Sequence, residues 1–378
     1  MNYTQRHQEL SSQFQIGIDT HLDTSNIDIR FFRFKSESRS NENIWENPTD
    51  LVIGENIEFS YPVFIPSEQQ QTSEAILILH GLNERNWSKY LTWAEHLCSE
   101  TGKAVILFPI AFHVNRSPQS WSNPRNLRDI LDFRRKKNGE DRCLSFANVA
   151  FSERVCEEPY RFYRSGRQTV NDLTQLFGDI KQGVHPAFNA NTNIDIFAYS
   201  IGAFLAEIIL FSNPKNLFSS SKLFLFCGGG VFSSMFGQSR SIMDTSAYKS
   251  LFQYYLHEFT EKVKLASMRD KIFESFCSMI SSERYKSERE QFFKRLETQL
   301  EGISLVKDKV MPYLGIEEAL GKNIADSRIT KMDFAFEYNH ENPFPICSHT
   351  NSTEVDNTAQ ITPLKRRYNE CFSYVLTQ

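Results

Sequence analysis

Residues 193–211 read NIDIFAYSIGAFLAEIILF. The first half has the pattern of a buried strand and the second half that of an apolar helix. Ser200 stands alone at the joint, with Ala198 two residues before it and Gly202 two residues after. Small residues at both places let a strand and a helix meet at a very close corner. Such a corner either presents the serine as a nucleophile at the carboxyl end of the strand or uses it to cap the helix.

The rest of the chain supplies the setting. AILILHG (75–81), KAVILFPI (103–110) and KLFLFCGGG (222–230) are short, continuously apolar runs, as expected of central strands buried on both faces. ENIEFSYPVFIPS (55–67) alternates and reads as another strand, and IDIRFFRF (27–34) is a strand-like piece near the start. Between them, 86–102 has helical spacing through Leu91, Ala94 and Leu97 and a stop at Gly102, and a second helix is expected near 166–182. Residues 111–164 read as polar and loop-rich. Residues 244–301 keep helical spacing through Phe252, Leu256 and Phe259, then Ile272, Phe276 and Ile280, then Phe292, Leu296 and Leu300. A strand at 303–306, a helix near 313–321, a strand near 329–338 and a last helix starting at Thr362-Pro363 are expected after it.

Strands alternating with helices predict an α/β chain: a three-layer, doubly wound, mostly parallel sheet. The expected division is an N-terminal extension with an edge strand (1–54), a core (55–243 and 302–378) and a helical cap insertion (244–301). Ligands of such sheets bind beyond the carboxyl ends of the strands, where Ser200 falls.

Composition narrows the function. Of 378 residues 40% are hydrophobic and 32 are Phe, enough for a large core. A net charge of −4 argues against general nucleic-acid binding. No run of about 18 apolar residues predicts a transmembrane helix, and MNYTQRHQELSSQFQ has no apolar signal segment. The seven cysteines (98, 143, 156, 227, 277, 347 and 371) are scattered without CxxC or paired Cys/His spacing. Free thiols, no metal and a cytoplasmic location are therefore expected.

Ala198-Tyr199-Ser200-Ile201-Gly202 is close to G-x-S-x-G, with Ala198 in place of the first glycine. Together with the His80-Gly81 turn after AILIL and the order of elements over roughly 55–376, it makes the chain resemble the α/β-hydrolase superfamily. The resemblance implies the order nucleophile, acid, histidine. Of nine histidines only His257, His340 and His349 follow Ser200. His257 falls in the helical insertion. His340, in NHENPF after a predicted strand, fits the family's histidine, and His349 is the reserve. Asp308, after ISLV, fits the acid, with Asp244 and Asp326 as alternatives. Asp308 would hold the tautomer of His340 and stabilise its imidazolium. Leu82 and Ile201 N–H groups would form the oxyanion hole, and His80 would prop its loop.

The expected chemistry is a serine hydrolase cleaving an acyl ester, amide or thioester of a small molecule through an acyl-enzyme, without a cofactor. The alternative is a catalytically inactive relative used for binding or assembly. His113 and Arg116, in PIAFHVNRSPQSW (109–121), could meet a polar or anionic substrate group, and Tyr199 stands beside the nucleophile as a third substrate contact. The aromatic insertion could enclose an apolar acyl group. The Gly228–Gly230 run lacks the Lys-Ser/Thr ending of a phosphate loop. The sequence leaves the oligomeric state open, a homo-oligomer included.

Overall fold

A computed structural model describes residues 3–37, 48–259, 261 and 270–346. Nine strands form one sheet: β1 Thr20–Leu22, β2 Ile27–Lys35, β3 Glu58–Pro66, β4 Thr72–Leu79, β5 Ala104–Leu107, β6 Phe188–Tyr199, β7 Leu223–Phe226, β8 Leu300–Leu305 and β9 Ile329–Met332. Their spatial order is β1-β2-β3-β5-β4-β6-β7-β8-β9. β1, β2 and β3 are antiparallel to their neighbours, and every pairing from β5 to β9 is parallel. Helices cover both faces, and the architecture is an α/β-hydrolase fold.

The apolar runs explain the layering. Every residue of β5 and β7 is buried, because both faces of the sheet are covered. Side chains alternate across it. Leu77 and Leu79 of β4, with Ile196 and Ala198 of β6, pack on one face. Ile76 and Ile78, with Phe197 and Tyr199, pack on the other. Helices α1 (Tyr3–Gln13) and α4 (Ser88–Thr101) meet on this second face, where Trp87, Tyr90 and Trp93 are fully buried. Two short helices, α2 (Pro48–Leu51) and α3 (Gly54–Ile57), lead into β3.

The region expected to be loop holds α5 (Pro124–Asn138) and α6 (Val149–Glu157), followed by α7 (Tyr160–Lys181). Asn123 caps α5 by accepting a hydrogen bond from Arg125 N–H at 3.0 Å, with Pro124 in the first helical position. That Asn-Pro pair is a start signal hidden within polar sequence. α8 (Ile201–Ser212) follows Ser200, and α9 (Thr245–Gln253) continues into a π-helical turn at Tyr254–Glu258.

Helices Lys271–Ser278 and Lys286–Leu296 complete the excursion between β7 and β8. Phe259, Phe273 and Phe276 belong to the same buried cluster as the α7–α8 face of the sheet. The Phe276 ring lies 4.8 Å from that of Tyr163 on α7 and 5.8 Å from that of Phe204 on α8. The excursion therefore shares the sheet's core instead of enclosing one of its own.

The strand expected over 329–338 ends at Met332. Its alternating aromatics pack on one another, Phe334 and Tyr338 buried and Phe336 half-buried, with Phe334 and Phe336 stacked at 4.9 Å. Tyr338 donates its O–H to Asp333 and accepts the Lys307 amide. This leaves residues 333–346 free of the ladder, so His340 can turn back over the strand ends. The helix expected from Thr362 lies outside the described residues.

Candidate active site

Ser200 lies between β6 and α8 at φ 57° and ψ −123°, a backbone conformation that side-chain-bearing residues rarely adopt. The neighbours impose this turn. A Cβ on Gly202 would stand 2.4 Å from the Leu79 carbonyl oxygen, and one on Gly228 would stand 2.7 Å from that of Ser200. The corner closes only with glycine at both places.

Ser200 Oγ lies 2.7 Å from His340 Nε2. His340 Nδ1 lies 2.7 Å from Asp308 Oδ2. A carboxylate only accepts, so Nδ1 carries the proton and the bare Nε2 faces the hydroxyl. Asp308 Oδ1 accepts the amides of Val310 and Met311, each at 2.9 Å. The carboxylate is thus fixed by backbone before it meets the imidazole. All three side chains are buried. Tyr199 donates its O–H to the His340 carbonyl and stacks on the imidazole, with centroids 5.5 Å apart and planes 16° apart.

The other acids are placed elsewhere. Asp244 is buried and takes two hydrogen bonds from Arg134, at 2.7 and 2.8 Å, while capping α9 through Ala247 N–H. Asp326 is tied to Lys322 and Tyr313. His257 lies in the π-helical turn, and His349 lies outside the described residues.

Leu82 and Ile201 line one cavity with Ser200. Ile201 is the first residue of α8, where helix amides have no partner within the helix. The loop carrying Leu82 is held by Tyr90, which accepts Gly81 N–H at 2.9 Å and donates to Glu84 at 2.8 Å. Lys89 reaches the same Glu84 oxygen. His80 donates Nδ1–H to the Gly81 carbonyl and accepts Ile110 N–H at Nε2, which locks its tautomer. Burial lowers its pKa to about 4, so the ring stays neutral and props the loop.

Three hollows meet at Leu82. Ser200 opens on one side to a cavity of about 460 Å³, its open mouth included, walled by Phe232, Met235, Met243, Leu251 and Met311. On the other it faces a polar hollow with Lys89, Glu84, Glu341 and Asn342. A larger cavity, about 1060 Å³ including its open mouth, adjoins the first through Leu82, Phe162 and Ile201.

The predicted substrate contacts fare differently. Arg116 is fully buried, bonded to Asp172 at 2.7 Å, to both oxygens of Asn56 and to the Pro109 carbonyl, with its plane over Phe59. It braces the interior and lines none of the three hollows, which corrects the expectation. Tyr199 has its hydroxyl committed to His340, so it positions that residue and has no free O–H for substrate. His113 does line the larger cavity. Its Nδ1–H donates to the Ala111 carbonyl at 2.9 Å, and Nε2 has no partner among the described residues. Sequence reasoning missed Arg85, which lines that cavity, and the Tyr90–Glu84 clamp, whose signal was only an aromatic inside a helix.

Among the described residues no group of three or more His, Cys, Asp or Glu is placed to hold a metal ion, and no helix is long and apolar enough to cross a membrane.

A search of curated proteins found no match. Solved structures with a similar course of chain include a cold-adapted esterase from an Arctic intertidal metagenomic library (10% identity, 87% of this chain and 92% of that chain, TM-score 0.42). Others are a bacterial heroin esterase (13%, 94% and 87%, 0.46) and an S-formylglutathione hydrolase from Agrobacterium tumefaciens (12%, 95% and 100%, 0.43). A family model matches residues 37–365, and the chain belongs to that family, described as a family of unknown function (DUF6051).

Proposed function

We propose that this protein is a serine hydrolase that cleaves acyl esters, or the related amides or thioesters, of small molecules. One observation carries the reading: Ser200, on a strained strand–helix corner, His340 and Asp308 form a continuous chain of 2.7 Å contacts. Ser200 Oγ attacks the acyl carbon while His340 Nε2 takes its proton. The imidazolium is stabilised by Asp308, whose charge is anchored by two backbone amides. The oxyanion is held by the N–H groups of Leu82 and Ile201. His340 returns the proton to the leaving group as the tetrahedral intermediate collapses. Water, deprotonated by His340, then attacks the acyl-enzyme, and the acid and Ser200 are released.

The two hollows at Ser200 differ in chemistry and divide the substrate between them. The apolar cavity fits the acyl chain, and the polar hollow with Lys89 and Asn342 fits the leaving group. The described residues of the 244–301 stretch act as a cap, since Tyr248, Leu251, Ile272 and Phe276 wall the cavities.

The test is hydrolysis of p-nitrophenyl acyl esters of increasing chain length. The purified protein is expected to turn over these esters with a chain-length optimum, and Ser200→Ala to abolish turnover while keeping the fold. Equal rates for wild type and Ser200→Ala would reject the reading.

A further inference from the structure

The larger cavity is not explained by the triad. Its floor is apolar, formed by Val170, Phe204, Leu205, Ile208 and Phe276 from α7, α8 and the helix Lys271–Ser278. Its charged lining is one-sided: Arg85, Arg154, Arg161 and Arg167 against Glu84 alone. Most of these charges already meet an opposite one. Arg154, Arg161 and Arg164 share Asp50, Arg161 also pairs with Glu157, Arg167 is held by Asp270, and Glu84 by Lys89. Arg85 is the exception. It donates one hydrogen bond, from Nη2 to the Phe146 carbonyl at 2.9 Å, and meets no carboxylate among the described residues.

A half-buried guanidinium has lost part of its hydration and gains from an anion in reach. Burial lowers its pKa, yet an arginine keeps its charge at neutral pH. Arg154, its Cζ 3.9 Å from the Trp121 ring centroid, adds positive charge to the same cavity, because Asp50 is shared with Arg161 and Arg164.

We infer that this cavity binds an aliphatic anion, with the chain on the α7–α8 floor and the charged head on Arg85. The anion site stands on the cavity and Arg85 alone. That the bound chain is the distal arm of a substrate rests on the hydrolase reading, because Ser200 itself lines only the two neighbouring hollows, which share Leu82, Phe162 and Ile201, or Leu82, Asn83 and Glu84, with this cavity. The substrate class that follows is an acyl compound carrying a negative charge at the end of an aliphatic segment.

The test uses ligands that cannot be cleaved, on the Ser200→Ala protein, so it does not depend on catalysis. Octanoate and 1-octanol are titrated by calorimetry at low salt. Octanoate is expected to bind at least tenfold more tightly than octanol. Arg85→Gln should remove that preference while octanol still binds, which also shows that the cavity is intact, and Arg85→Lys should restore part of it. Octanoate no tighter than octanol would overturn the inference. So would a preference that survives in Arg85→Gln, because the head would then sit elsewhere, at the oxyanion amides. Failure of both ligands to bind folded protein would overturn the aliphatic floor as well.

Discussion

Asp308 and His340, 32 positions apart in the chain, meet through one 2.7 Å contact between Oδ2 and Nδ1, while the other Asp308 oxygen is taken up by two backbone amides. The division of labour between the two oxygens makes a sharp prediction. In Asp308→Asn the amide oxygen keeps the two backbone contacts, and the NH2 group is turned toward Nδ1. That nitrogen must then accept, so Nε2 carries the proton and faces Ser200. Turnover of acyl esters is expected to fall by about 10³–10⁴, with KM nearly unchanged and a melting temperature close to wild type. Steady-state kinetics with thermal melting checks both halves.

Asp244→Asn should show the opposite profile. Asp244 and Arg134 form a buried, doubly bonded pair away from His340. Neutralising one member leaves Arg134 with Glu153 as its remaining carboxylate. The expected cost is about 2–4 kcal/mol in chemical denaturation, with unchanged kcat per folded molecule. A loss of kcat like that of Asp308→Asn would make Asp244 the working acid.

The corner itself can be probed from both sides. Gly202→Ala forces a Cβ to 2.4 Å from the Leu79 oxygen and 2.8 Å from that of His80, backbone atoms that cannot step aside. It should destabilise by about 3 kcal/mol or more. Ser200→Gly relieves the strained φ of 57° and should stabilise by about 1 kcal/mol while abolishing activity. Urea melts of the two variants check the pair of signs.

Stability should fall in mild acid. Burial holds His80 neutral, with its pKa near 4, and His113 neutral, near 3. Unfolded histidine takes up a proton near pH 6.5, so each contribution is whole above that pH and is lost as pH falls toward the folded values. From pH 6.5 to 5 the two together should remove about 3 kcal/mol. Unfolding midpoints measured across this range check it, and a flat profile would mean that the rings are protonated in the folded state.

The sheet was legible because its central strands are continuous apolar runs, and Ser200 because the change of period from strand to helix falls on it. His340 and Asp308 were nominated by chain order, and their contact with Ser200 is visible only in three dimensions. Less was legible where polar sequence hides structure. α5 begins at an Asn-Pro cap inside a stretch that reads as loop, and the expected strand after Met332 is an aromatic cluster that keeps alternation without a ladder. Arg116 and Arg85 show the limit best. Both are arginines in loops after sheet strands, and nothing local distinguishes them. Arg116 is fully buried because Asp172 and Asn56, 56 and 60 positions away, happen to enclose it.

The most direct measurement is labelling of the folded protein with a fluorophosphonate serine-hydrolase probe, followed by mapping of the modified peptide. An activated nucleophile at the β6–α8 corner predicts one label, on Ser200, lost in Ser200→Ala and strongly slowed in Asp308→Asn. Folded protein that takes no label, or takes it on another serine, would contradict the assignment of Ser200, His340 and Asp308 as a working triad.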